Sequence, residues 1–85
     1  MDRHKTMVLK ALGSLVRKRR EALGISQEEL AMRSHLDRTY ISGIERGVRN
    51  PSLTALVSLA GGIKISVSHL LEGLETEIVL QNGKD

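Results

Sequence analysis

The residues best equipped for chemistry lie together between positions 38 and 46. Arg38, Thr39, Ser42, Gly43 and Arg46 share the polar side of one short helical stretch, while Ile41 and Ile44 share the other. Such a face can reach base edges in a major groove, because arginine bridges the two acceptors of guanine and threonine offers a methyl or a hydroxyl. The remaining polar residues point away from catalysis. Glu28 and Glu29 occupy a first helical turn, where carboxylates serve capping and the helix dipole. His4, His35 and His69 are scattered at no metal-ligand spacing, and the chain contains no cysteine. No nucleophile-base pair, phosphate-cradling glycine loop or metal cluster is legible, so neither an enzyme nor a cofactor is expected.

Placing that face requires helices, and their signals are plain. Thr6 is read as the cap of a first helix over residues 7–23, carrying Val8, Leu9, Leu12, Leu15, Val16 and Leu23 and stopped by Gly24. Ser26 with Glu29 forms a capping box for a second helix over 27–34. Asp37 caps a third over 38–46, closed by Gly47, with Tyr40, Ile41 and Ile44 at helical spacing. Asn50-Pro51-Ser52 leads into a fourth helix ended by Gly61-Gly62, and Ser66 opens a short fifth that stops at Gly73. The expected fold is all-α, five helices, with a helix-turn-helix formed by helices two and three. Residues 1–6 are read as an arm, 7–74 as the domain and 75–85 as a tail whose β-branched residues pack as an arm or pair as an edge.

Size and charge bound the partners. Eighty-five residues make one small domain, with packing alone to hold it. With one tyrosine and no Phe or Trp, base-stacking platforms are not expected. Residues 1–50 carry a net charge of +5 and residues 51–85 a net of −2, which puts a basic surface in the N-terminal part. The longest apolar run is three residues, as in Ile78-Val79-Leu80, so neither a membrane partner nor a signal-peptide core is expected and the cytoplasm is the expected location. The run Arg17-Lys18-Arg19-Arg20 points around most of a helix and is read chiefly as a solvated face with one structural salt bridge.

Gly24-Ile25-Ser26-Gln27-Glu28-Glu29-Leu30-Ala31, Tyr40-Ile41-Ser42-Gly43-Ile44-Glu45-Arg46-Gly47 and Asn50-Pro51-Ser52 together resemble the phage-repressor-type (Cro/C1, Xre) helix-turn-helix transcriptional regulators. The stretch 36–46 is particularly similar to the small controller proteins of restriction-modification systems. The resemblance implies a lambda-repressor-like domain that binds double-stranded DNA. It implies base contacts by Arg38, Thr39, Tyr40, Ser42 and Gly43, and phosphate contacts by Gln27, Arg46, Arg49 and Asn50. Gln27 would also brace Arg38, and Arg20 with Glu45 would join helix one to helix three. Two positions depart from the family pattern: His35 stands where the turn usually has glycine, and Arg19 where the core face of helix one is often apolar.

The apolar residues Val67, Leu70, Leu71, Leu74 and Ile78 exceed what one short helix need bury, and a two-fold dimer interface accounts for them. The resulting expectation is a transcriptional regulator acting as a homodimer on a near-palindromic operator, as autoregulatory controllers do, with no small-molecule ligand. The rival is an antitoxin-like module that caps a toxin through its C-terminal helix and a tail that is disordered alone.

Overall fold

The computed structural model describes residues 2–83. Six helices follow one another: α1 (Arg3–Ala22), α2 (Gln27–Ser34), α3 (Arg38–Glu45), α4 (Leu53–Gly62), α5 (Val67–Leu70) and α6 (Leu74–Gly83). The first five are the helices that the sequence leads one to expect, and no strand occurs among the described residues. The all-α expectation holds.

Local chemistry sets most of the boundaries. Ser26, Ser52 and Ser66 accept from the backbone N–H groups of Glu29, Ala55 and His69, each satisfying a donor left open by a helix start. Gly24, Gly47 and Gly73 adopt positive φ after their helices. His35 occupies the left-handed region, with φ 56° and ψ 40°, as the short turn between α2 and α3 demands. Asp37 flanks α3 without a side-chain cap bond. Glu29 closes no reciprocal box: its carboxylate accepts from Arg33 Nε at 2.9 Å instead.

Three boundaries differ from the sequence reading. Asp2, not Thr6, caps α1; its carboxylate accepts from Lys5 N, and Thr6 lies inside the first turn with its hydroxyl on the Asp2 carbonyl. Residues 3–6 are therefore helix rather than arm. α4 runs through Gly61 and Gly62, and the chain reverses at Lys64, with φ 60°. Gly62 is small for packing, since a Cβ there would meet the Ser34 hydroxyl. The supposed tail is α6, lying along α1.

Leu12, Val16, Leu30, Ala31, Ile41, Ile44, Leu59, Ala60, Ile63 and Leu70 form one core. α1 packs on α3 and α6, and α2 on α3 and α4. At Gly13 the α1 backbone approaches the carbonyls of Ile44 and Glu45 so closely that a Cβ would collide with them. Leu70, read as a dimer contact, is fully buried within this core and has no surface to offer a partner. Val67, Leu71 and Leu74 are partly covered by the same cluster, and Ile78 on α6 is likewise half-buried.

Candidate nucleic-acid interface

α3 buries Ile41 and Ile44 completely, so the helix can turn only one side outward. That side begins with Arg38 and Thr39, both exposed at its N-terminus. A guanidinium is poorly placed there with respect to the helix dipole. Two neighbours on α2 compensate: the amide oxygen of Gln27 accepts from Arg38 Nη1 at 3.3 Å, and Glu28 Oε2 lies 3.6 Å from Arg38 Nε.

Gln27 is itself held. Its Nε2 donates to Glu45 Oε1 at 3.0 Å, and Arg20 grips both oxygens of the same carboxylate, with Nε to Oε2 at 2.7 Å and Nη2 to Oε1 at 3.0 Å. Arg20 Nη1 also donates to the Ile25 carbonyl. The Glu45 side chain is fully buried, and its hydrogen bond holds the Arg20 guanidinium above its ordinary pKa. A continuous set of contacts thus ties α1, α2 and α3 together and ends on the exposed Arg38.

The other expected contact residues divide. Arg46, Arg49 and Asn50 are exposed at the end of α3 and in the loop that follows. Arg46 Nε donates to the half-buried Ser42 hydroxyl at 3.3 Å. The Arg49 guanidinium lies 5.5 Å from the centre of the Tyr40 ring, fixing both side chains at one edge of the face. Gly43 is buried: the Arg49 side chain covers it, and a Cβ there would meet Arg49 Cγ. Its lack of a side chain serves the arginine above it rather than an open groove-facing surface.

The basic run on α1 has more roles than its composition discloses. Arg17 Nε reaches within 3.7 Å of Glu45 Oε1, Lys18 pairs with Glu77 on α6 at 2.7 Å, and Arg19 Nη2 donates to the His69 carbonyl at 2.9 Å. Arg19 lines a shallow apolar recess with Leu23, Ile63 and Ile65, its stem over carbon and its charge on a backbone oxygen. Lys18 and Glu77 form a second structural ion pair that the sequence does not signal, because nothing local links residues so far apart in the chain.

The family model described as helix-turn-helix matches residues 16–70. The chain belongs to the helix-turn-helix family. Among its relatives is the control protein C.MunI of Mycoplasma sp, 44% identical over 59 residues, which are 69% of this chain and 80% of the relative. The crystal structure of the restriction-modification controller protein C.AhdI from Aeromonas hydrophila superimposes with a TM-score of 0.72 at 45% identity, covering 73% of this chain and 94% of that one. The controller C.Esp1396I, solved as a tetramer in complex with its natural 35 base-pair operator, superimposes with a TM-score of 0.76 at 40% identity, covering 85% and 95%. This helix-turn-helix protein is a repressor-like, Xre-type transcription regulator, as its motifs lead one to expect. Among its described residues no single helix is long and apolar enough to cross a membrane.

Proposed function

We propose that the chain binds double-stranded DNA as a homodimer on a near-palindromic operator and controls transcription there, its own gene included, in the manner of a restriction-modification controller. The observation that carries this reading is the exposed Arg38, braced by Gln27 and, through Glu45, by Arg20. A side chain held this way meets a guanine edge with little ordering left to do. Thr39, Tyr40 and Ser42 read beside it, and Gln27, Arg46, Arg49 and Asn50 hold phosphates that fix the register. The operator-bound controller of similar fold supports the same conclusion.

The two-fold face runs over Val67, Leu71, Leu74 and Ile78 and takes in Val79 and Leu80, which are 69% and 52% exposed. It sets two reading helices about 34 Å apart, on successive turns of one groove. Bound across a promoter, the dimer excludes polymerase; bound upstream, it recruits it. The chain acts as a binding protein in the bacterial cytoplasm at the nucleoid, without catalysis or a small-molecule ligand. The rival antitoxin reading needs a loose C-terminal tail, whereas residues 74–83 form a helix pinned to α1.

Selection from random duplex DNA tests the proposal, followed by titration of the selected and a scrambled duplex at several salt concentrations. A near-palindrome bound about 10³-fold or more above the scrambled control is the expected result. Failure to enrich any sequence, with weak and steeply salt-dependent binding alone, overturns it.

A further inference from the structure

Beyond the reading face, a cavity of about 240 Å³ opens between α1, the end of α3 and α6, lined by Lys10, Ser14, Arg17, Glu45, Arg46 and Gln81. Lys10, Arg17 and Arg46 line it against one carboxylate, which is engaged by Arg20 and Gln27 and lies 3.7 Å from Arg17 Nε. Ser14 and Gln81 complete the lining, each already hydrogen-bonded to Glu77 on α6, Gln81 Nε2 at 3.5 Å, so it is the three cations that suit the cavity to a phosphate. Its location is also suggestive. Arg46 stands at the rim of the proposed DNA contact, and Lys10 lies under the loop that carries Arg49, where a Cβ on Gly47 would meet its Cα. Gln81 reaches the cavity because Lys18 and Glu77 fasten α6 to α1 one turn earlier.

We infer that this cavity takes a backbone phosphate of the bound duplex, which makes α1 and the C-terminal helix part of the DNA interface. The inference rests on the DNA-binding reading above and enlarges it: the contact extends beyond the helix-turn-helix to a helix outside the matched residues 16–70. Such a contact carries no base preference, so its loss acts equally on all sequences.

The test uses the full chain with Lys10→Gln, Gln81→Glu and Gln81→Lys, each checked for an unchanged thermal melt and titrated by fluorescence anisotropy against the selected and the scrambled duplex. Lys10→Gln is expected to weaken both and to reduce the slope of log affinity against log salt by about 0.9 per protomer. Gln81→Glu is expected to weaken both duplexes several-fold, and Gln81→Lys to tighten both and steepen the slope. Wild-type affinity and slope in all three variants, with specific binding intact, overturn the cavity contact and leave the proposed function standing. Absence of binding by the wild-type chain to either duplex overturns both.

Discussion

Replacing Arg20 by methionine keeps the aliphatic stem and removes the two hydrogen bonds, at 2.7 and 3.0 Å, that Glu45 receives from the guanidinium. The carboxylate left behind is fully buried. Stranding one partner of a buried ion pair costs about 3–5 kcal/mol. Gln27 still donates at 3.0 Å and Arg17 remains 3.7 Å away, which places the cost near the lower end, about 3 kcal/mol. An 85-residue domain has about 4–13 kcal/mol in total, so the variant forfeits a large share. Its melting temperature should fall by about 12–24 °C, since each kcal/mol moves a domain of this size by about 4–8 °C. Urea unfolding of wild type, Arg20→Met, Glu45→Gln and the double variant measures the coupling. The double variant should regain most of the loss, because a neutral amide is far cheaper to bury than an unpaired carboxylate. A cost below about 1 kcal/mol for Arg20→Met, the range of exposed ion pairs, would refute the reasoning, as would a double variant no more stable than the single.

Arg38→Ala should cost about 1–3 kcal/mol at the preferred operator and relax its sequence preference, leaving scrambled duplex nearly unaffected; an equal loss on every duplex rules out base reading by this residue. Adjacent glycines in α4 should respond with opposite signs in urea unfolding. Gly61→Ala meets nothing within 4 Å and stabilises by about 0.5–1 kcal/mol, whereas Gly62→Ala runs into the buried Ser34 and costs about 1–3 kcal/mol. The Lys18 hydrogen bond lowers the pKa of Glu77 below its ordinary 4.5, so the pair stabilises the fold fully above that value and is lost as pH falls through the depressed one. The gap in unfolding midpoint between wild type and Glu77→Gln should accordingly be present at neutral pH and close on acidification; a gap that persists in acid discounts the ion pair.

The sequence discloses those parts of the molecule whose causes are local. Ser26 and Gly47 announce the start of α2 and the end of α3 because a cap or a left-handed residue acts within a few positions of itself. The exposed position of Arg38 and the burial of Ile41 and Ile44 follow from a 3.6-residue period. α6 escapes such reading for a definite reason. Its apolar residues Val79 and Leu80 stand toward solvent and Ile78 is only half-buried, while the side chain it buries is a glutamate whose partner sits on another helix. Gly62 misleads for a related reason: its neighbour Gly61 and its own lack of a side chain suggest a stop, but the demand is made by Ser34 across a helix contact. Gly43 is similar, since the Arg49 above it comes from the following loop.

In the proposed function, stability and discrimination are lodged in different residues of the same chain of contacts. Glu45 and Arg20 lie at its sheltered end and Arg38 at its open end, with Gln27 on α2 between them. Position 38 touches no core residue in any of these contacts, so under the proposed DNA-binding reading a new side chain there alters which duplex is preferred without asking the scaffold to refold. Recognition can therefore drift by single substitutions at the outer end while the inner end stays fixed, and sister proteins with separate target sites can diverge from one framework without passing through an unstable intermediate.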